Sequence, residues 1–134
     1  MGNWIRAITA ILISLMVFVA FATDCHAEKW VMIGIDDEGT VHSVDSESVK
    51  RSGNIASAWT KAELTTPKSI GDKDYDMFID LEEWNCEIKS YRPLKSIIKY
   101  TDGTEAELAS DHSSTWKYAS PKSMEEAEYR VICK

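Results

Sequence analysis

A run of carboxylates is the sharpest chemical pattern in this sequence. Asp72, Asp74 and Asp76 alternate, and Ile79, Asp80 and Glu83 follow. These residues occupy positions one, three, five, eight, nine and twelve of a calcium-binding loop, where alternate carboxylates converge on one hard cation and the last Glu binds through both oxygens. Position six of such a loop makes a sharp turn suited to glycine, and here it is Met77. Pro67 and Gly71 stand where the preceding helix would be. Tyr75, Met77, Ile79 and Leu81 alternate with Asp76, Asp80 and Glu82, which is the period of a half-buried strand and not of a wrapped loop. Asp72, Asp74, Asp76 and Glu83 are therefore the candidate ligands should a metal bind. They read first as the solvated acidic face of a strand, and no metal or cofactor is expected.

The remaining groups offer less chemistry. Zinc wants three or four His or Cys ligands, and the three histidines, His26, His42 and His112, are scattered. Ser113 and Ser114 lie next to His112, but adjacent residues lack triad geometry and no nucleophile elbow surrounds them. There is no Gly-rich phosphate loop. The chain therefore reads as a non-enzyme. Trp30, Trp59, Trp84 and Trp116 are many for a small domain. Exposed together they would form a stacking patch for a partner or glycan; in or near strands they read first as core. Trp116, after a polar loop and beside Lys117, is the candidate partner-binding exception.

The elements that position these residues begin after an address. Ala7 to Ala22 is an uncharged apolar run of sixteen residues behind Arg6. It is short of the ~20 residues that span a bilayer as a helix, and it fits the apolar region of a signal peptide. Small residues Cys25 and Ala27 place cleavage before Glu28; Ala20 and Ala22 give a second site before Thr23. Residues 1–27 are thus read as a signal peptide and 28–134 as the domain, with an uncleaved membrane tether as the alternative. Asp24 before Cys25 spoils a lipoprotein motif, and Arg6 disfavours myristoylation at Gly2.

Cleavage before Glu28 also settles the cysteine parity. It removes Cys25 and leaves Cys86 and Cys133. In an exported chain these two are expected to form a disulfide, worth about 3–4 kcal/mol by loop-closure entropy. The alternative is two free buried thiols acting as small hydrophobes. Arg6 and Asp24 leave together, so the net charge of -7 belongs to the domain. A pI near 4.9 disfavours nucleic acid, whose phosphates need a basic face. Membrane contact is expected only through the transient signal peptide.

The domain shows no repeat, low-complexity run or linker. Trp30–Ile35 and Thr40–Val44 read as a hairpin around Asp36–Gly39, and Glu47–Ser52 as a helical turn stopped by Gly53. Ile55–Leu64 is a strand, 65–74 a polar loop, and Tyr75 onward a strand with a phase slip near Glu83. Leu94–Tyr100 and Thr104–Ala109 form a hairpin on Asp102-Gly103. Ser123 with Glu126 is a capping box that opens a terminal helix carrying Cys133 in its last turn. The expected class is α+β, a mainly antiparallel sheet with a short helical turn and a C-terminal helix tied by a disulfide.

The ordered marks Trp30, Val44-Asp45, Ser48, Gly53, Trp59, Cys86, Arg92, Tyr100, Gly103, Trp116, Pro121, Ser123 and Val131-Ile132-Cys133 resemble the surface-adhesin protein E-like domain family of small exported bacterial proteins. The resemblance spans about Trp30 to Cys133. It implies the same sheet-and-helix fold, a Gram-negative periplasmic or cell-surface location, and adhesion to host extracellular matrix through a basic segment. Here the only adjacent basic pair is Lys50-Arg51, so no adhesin site is carried over. The function expected is a binding or interaction module for an unknown protein or surface ligand. A metal-binding factor or small enzyme using the Asp72–Glu83 carboxylates is the alternative.

Overall fold

The computed structural model describes residues 27–108 and 115–134. The expected signal peptide, apart from Ala27, and the 112–114 His-Ser group lie outside the described residues. Among the described residues, eight strands build one antiparallel sheet: β1 (Trp30–Ile35), β2 (Val41–Asp45), β3 (Lys50–Ser52), β4 (Ile55–Ile70), β5 (Lys73–Asn85), β6 (Ser90–Tyr100), β7 (Glu105–Leu108) and β8 (Lys117–Tyr118). Helix α1 (Met124–Ile132) ends the chain. The sheet order is β1-β2-β4-β5-β6-β7, with β3 also paired to β4 and β8 to β6. Among the described residues no helix is long and apolar enough to cross a membrane.

Two expected elements differ. The helical turn over Glu47–Ser52 is instead a tight turn followed by β3, which pairs back onto β4. Gly53 does take the left-handed conformation, with φ 61°, but it turns a hairpin and stops no helix. The polar loop over 65–74 is strand on both sides: Lys68, Ser69 and Ile70 face Tyr75, Asp74 and Lys73 across a two-residue turn at Gly71 and Asp72. The register slips between Glu63 and Lys68, the stretch holding Pro67. Proline lacks the N–H that a regular ladder needs, so the strand continues past it by bulging.

An irregularity is present beside Glu83, as expected, and a second lies earlier in the strand. The β5–β6 register shifts between Tyr75 and Met77 and again between Leu81 and Glu82. Tyr75 is buried and meets Phe78 edge-on at 4.9 Å. Along β5 the even residues Glu82 and Trp84 are buried, and the odd residues Ile79 and Leu81 are half-buried. Both faces of this strand are therefore partly covered, and two acidic residues, Asp80 and Glu82, lie on the helix side. Acids on the inner face are what disguised its period.

The core lies between the sheet and α1. Val44, Ala56, Ala58, Trp84, Cys86, Ala119 and Ile132 are its buried members. Small residues at alternate positions of β4 let the helix come close, and Trp84, 0% exposed, fills the centre. Its indole stacks on Tyr91 at 4.9 Å and donates from Nε1 to Glu82 at 2.9 Å. Gly34 makes room for the start of the helix: a Cβ there would lie 2.9 Å from Sδ and Cε of Met124.

Helix α1 starts as its sequence predicts. Ser123 caps it, accepting the N–H of Glu126 at 3.2 Å, and the Glu126 carboxylate accepts the N–H of Lys122 at 2.7 Å. Its far end is held to the sheet side. Cys133 forms the disulfide with Cys86, Cα–Cα 5.4 Å, and Tyr129 donates its hydroxyl proton to the Cys86 carbonyl at 2.9 Å. The expected pairing of Cys86 with Cys133 is thus present, and it links the helix end to the turn after β5.

Candidate functional site

Alternation along β4 decides what the other sheet face presents. Ala56 and Ala58 point to the helix, so Ser57 and Trp59 point away from it. On β5, Ile79 and Leu81 do the same. A cleft of about 620 Å³ opens on that face, lined among others by Trp59, Leu81, Ser57, Asp45 and Lys50. A smaller hollow of about 220 Å³ shares Glu28, Asp45 and Trp59 with it and adds Trp30, Ile79 and Ile97. Trp59 lies where the two meet. The larger volume suits a small-ligand site, which runs roughly 300–1,000 Å³.

The loop before β3 fixes the cleft rim by hydrogen bonds. Asp45 is buried, and its Oδ1 accepts the N–H groups of Lys29 at 2.9 Å and Glu47 at 3.1 Å. Ser48 donates its hydroxyl proton to the Asp45 carbonyl at 2.7 Å and accepts the Trp59 N–H at 2.9 Å. The rim and the strand carrying Trp59 are thereby one unit.

The two tryptophans of this face differ in what remains to them. Trp30 donates from Nε1 to Glu28 at 3.0 Å, and the Lys61 ammonium lies 4.8 Å from its ring centre. The indole of Trp59 enters no hydrogen bond, ring stack or cation contact among the described residues. Trp59 is the uncommitted aromatic surface of the cleft, half-buried and flanked by carboxylate, hydroxyl and ammonium groups. Such a surface accepts a flat or apolar group and surrounds it with polar partners.

The structure places the other candidates apart from this cleft. Trp84 is the only one of the four tryptophans in the core; Trp30 and Trp59, expected there, lie on the opposite face. Trp116 is 37% exposed and covers the Arg92 guanidinium at 4.7 Å. Arg92 in turn donates to Glu83 Oε1 from Nη2 at 2.8 Å and Nε at 3.1 Å. Glu83 is thus paired, Asp74 accepts from Ser69 at 2.6 Å, and Asp72 lies in the hairpin turn. Asp72, Asp74, Asp76 and Glu83 are strung along an extended hairpin. No group of three or more His, Cys, Asp or Glu among the described residues is gathered to hold a metal ion. His42 is bonded to Asp36 at 3.1 Å, and this bond holds the Asp36 carboxyl below its ordinary range. The basic pair is split: Lys50 lines the cleft, while Arg51 clamps the carbonyls of Cys133 and Lys134 at 3.2 and 3.0 Å.

Periodicity carries a signal for part of the cleft that the reading of Trp59 as core does not use. In Ile55–Leu64 the small residues fall on even positions and Ser57, Trp59, Lys61 and Glu63 on odd ones. That alternation is the signal that Trp59 leaves the core. Lys50 and Glu28 carry no such mark and come to the cleft only through the fold.

By architecture this is a small antiparallel-sheet protein with a C-terminal helix stapled across the sheet. Solved structures share that fold. Haemophilus influenzae protein E superposes with a TM-score of 0.58 at 12% identity, covering 78% of this chain and 83% of that one. Its selenomethionine form gives 0.57 at 11%, covering 80% and 92%. Protein E from a non-typeable H. influenzae gives 0.56 at 12%, covering 83% and 78%. A search of curated protein sequences finds no match. The sequence profile of the surface-adhesin protein E family matches residues 30–134, and the chain belongs to that family.

Proposed function

We propose that this chain is an exported, non-enzymatic binding protein of a Gram-negative envelope, held in the periplasm or at the cell surface. Its family supports an adhesin-like role toward a host or surface ligand. The observation that carries the binding reading is the cleft with Trp59 at its centre, concave and braced by Asp45 and Ser48. The separation of Asp72, Asp74, Asp76 and Glu83 favours this over a metal-dependent factor. Export rests on the apolar run before residue 28, and the disulfide agrees with an oxidising compartment.

Two measurements test the proposal. Amino-terminal sequencing of the protein from the envelope fraction should begin at Glu28 or Thr23; an intact Met1 would instead support a retained membrane tether. Beads coated with the processed protein should attach to immobilised extracellular-matrix protein or to bacterial envelope above a denatured control. Attachment to neither would remove the binding role.

A further inference from the structure

Between α1 and the sheet lies a second cavity, of about 170 Å³, with an acidic wall. Asp80 and Glu82 reach it from β5 and Glu125 and Glu128 from α1. Glu82 and Glu128 are 8% and 7% exposed, and both line this cavity, one from the sheet and one from the helix. A bond between two carboxyl groups needs a proton in it, because carboxylates only accept. No salt bridge reaches either residue among the described residues.

The neighbouring groups are engaged elsewhere. Lys61 borders the cavity from β4, but its ammonium pairs with Glu63 at 2.9 Å. His42, from β2, is bonded to Asp36. Tyr91, from β6, is 3.5 Å from Glu125 Oε1. Asp80 lines the same cavity from β5, and burial raises its carboxyl while the Ser96 hydroxyl works against that rise. The one further donor to the pair is the neutral indole of Trp84, on Glu82.

We propose that Glu82 and Glu128 form a proton latch, which holds the N-terminal half of α1 on the sheet while they share a proton and releases it when both ionise. The hinge is built in, because the other end of α1 stays attached by the Cys86–Cys133 disulfide and Tyr129. Burial, then the neighbouring carboxylate charges, pushes Glu128 up to about 9. Burial likewise raises Glu82 to about 7. The same causes push the Tyr91 hydroxyl further up, so it stays protonated.

The sign follows from linkage. Raised carboxyl pKa values mean that the native state binds more protons than the unfolded chain. The latch is complete near the ordinary carboxyl range and is lost as pH rises through about 7 and about 9. Asp36 and Asp102, both shifted down, are charged throughout that window and contribute no slope there.

The test is amide hydrogen exchange on the full-length protein in mild detergent, corrected for intrinsic base catalysis. Between about pH 5 and pH 9 the amides of α1 should lose at least roughly tenfold in protection, with β4 and β5 unchanged. Glu128→Gln keeps a donor without a charge and should reduce that loss to under about twofold. Unchanged α1 protection in the wild type, or an equal loss in the variant, overturns the latch. If the variant does not fold, carbon-13 titration of the wild-type carboxyls decides. A midpoint above about pH 6 for Glu82 or Glu128 supports the latch, and both below it overturn it.

Discussion

The hydroxyl of Ser48 accepts the backbone N–H of Trp59 at 2.9 Å while donating to the carbonyl of Asp45 at 2.7 Å. One small side chain thus joins the turn before β3 to the centre of β4 and fixes the cleft rim against its aromatic floor. Asp45, Ser48 and Trp59 are also among the residues that carry the family resemblance. Their connection gives that spacing a physical reason: the turn must reach the strand.

Ser48→Ala should remove both bonds and leave the Trp59 N–H without this acceptor. The expected loss is about 1–3 kcal/mol of stability, read from the midpoint of urea unfolding. An unchanged midpoint would mean that water replaces the hydroxyl at no cost.

Trp84→Phe keeps the ring against Tyr91 but deletes the donor to Glu82. A buried acceptor left without its indole partner predicts a loss of about 1–3 kcal/mol. Trp84→Ala adds a cavity and should cost about 3–5 kcal/mol. A Trp84→Phe midpoint equal to that of the wild type would contradict the role given to the indole N–H.

Reduction of Cys86–Cys133 should lower stability by about 3–4 kcal/mol, since the bond closes a separation of 47 residues. Mass analysis without reductant should fall about two units below the reduced protein, the two hydrogens lost on forming a disulfide. Alkylation of both thiols without prior reduction would show that the bond is absent.

Calcium added to the processed protein should give no saturable heat corresponding to a dissociation constant tighter than about 10⁻⁴ M. Asp74 and Glu83 already have partners, and an extended strand cannot bring them to one ion. A tight isotherm that Glu83→Gln abolishes would restore the calcium-loop reading.

Sequence reasoning reached the features that depend on local chemistry. Ser123 and Glu126 announce the helix start, Asp102-Gly103 announces a hairpin, and cysteine parity announces the staple. It failed where tertiary context overrides local preference. The polar stretch 65–74 has loop composition, yet its backbone pairs again past the slip at Pro67, because the two long strands already lie side by side. Glu47–Ser52 can cap a helical turn, but β4 offers its edge and captures Lys50–Ser52. Asp80, Glu82 and Glu128 were invisible as a cluster because acids ordinarily mark the outside of a strand or helix. Trp59 was half legible: its alternation with alanines separates it from the core, while the cleft around it depends on residues distant in the chain.

The most direct test of the binding account compares two tryptophans in the attachment assay. Trp59→Ala should reduce attachment of the processed protein at least about tenfold, as a central aromatic contact does when truncated. Trp116→Ala, removed from the cleft and stacked on Arg92, should leave attachment within about twofold. Both proteins must first give unfolding midpoints near that of the wild type. Full attachment by the Trp59 variant, or its loss only in the Trp116 variant, would contradict the cleft as the ligand site.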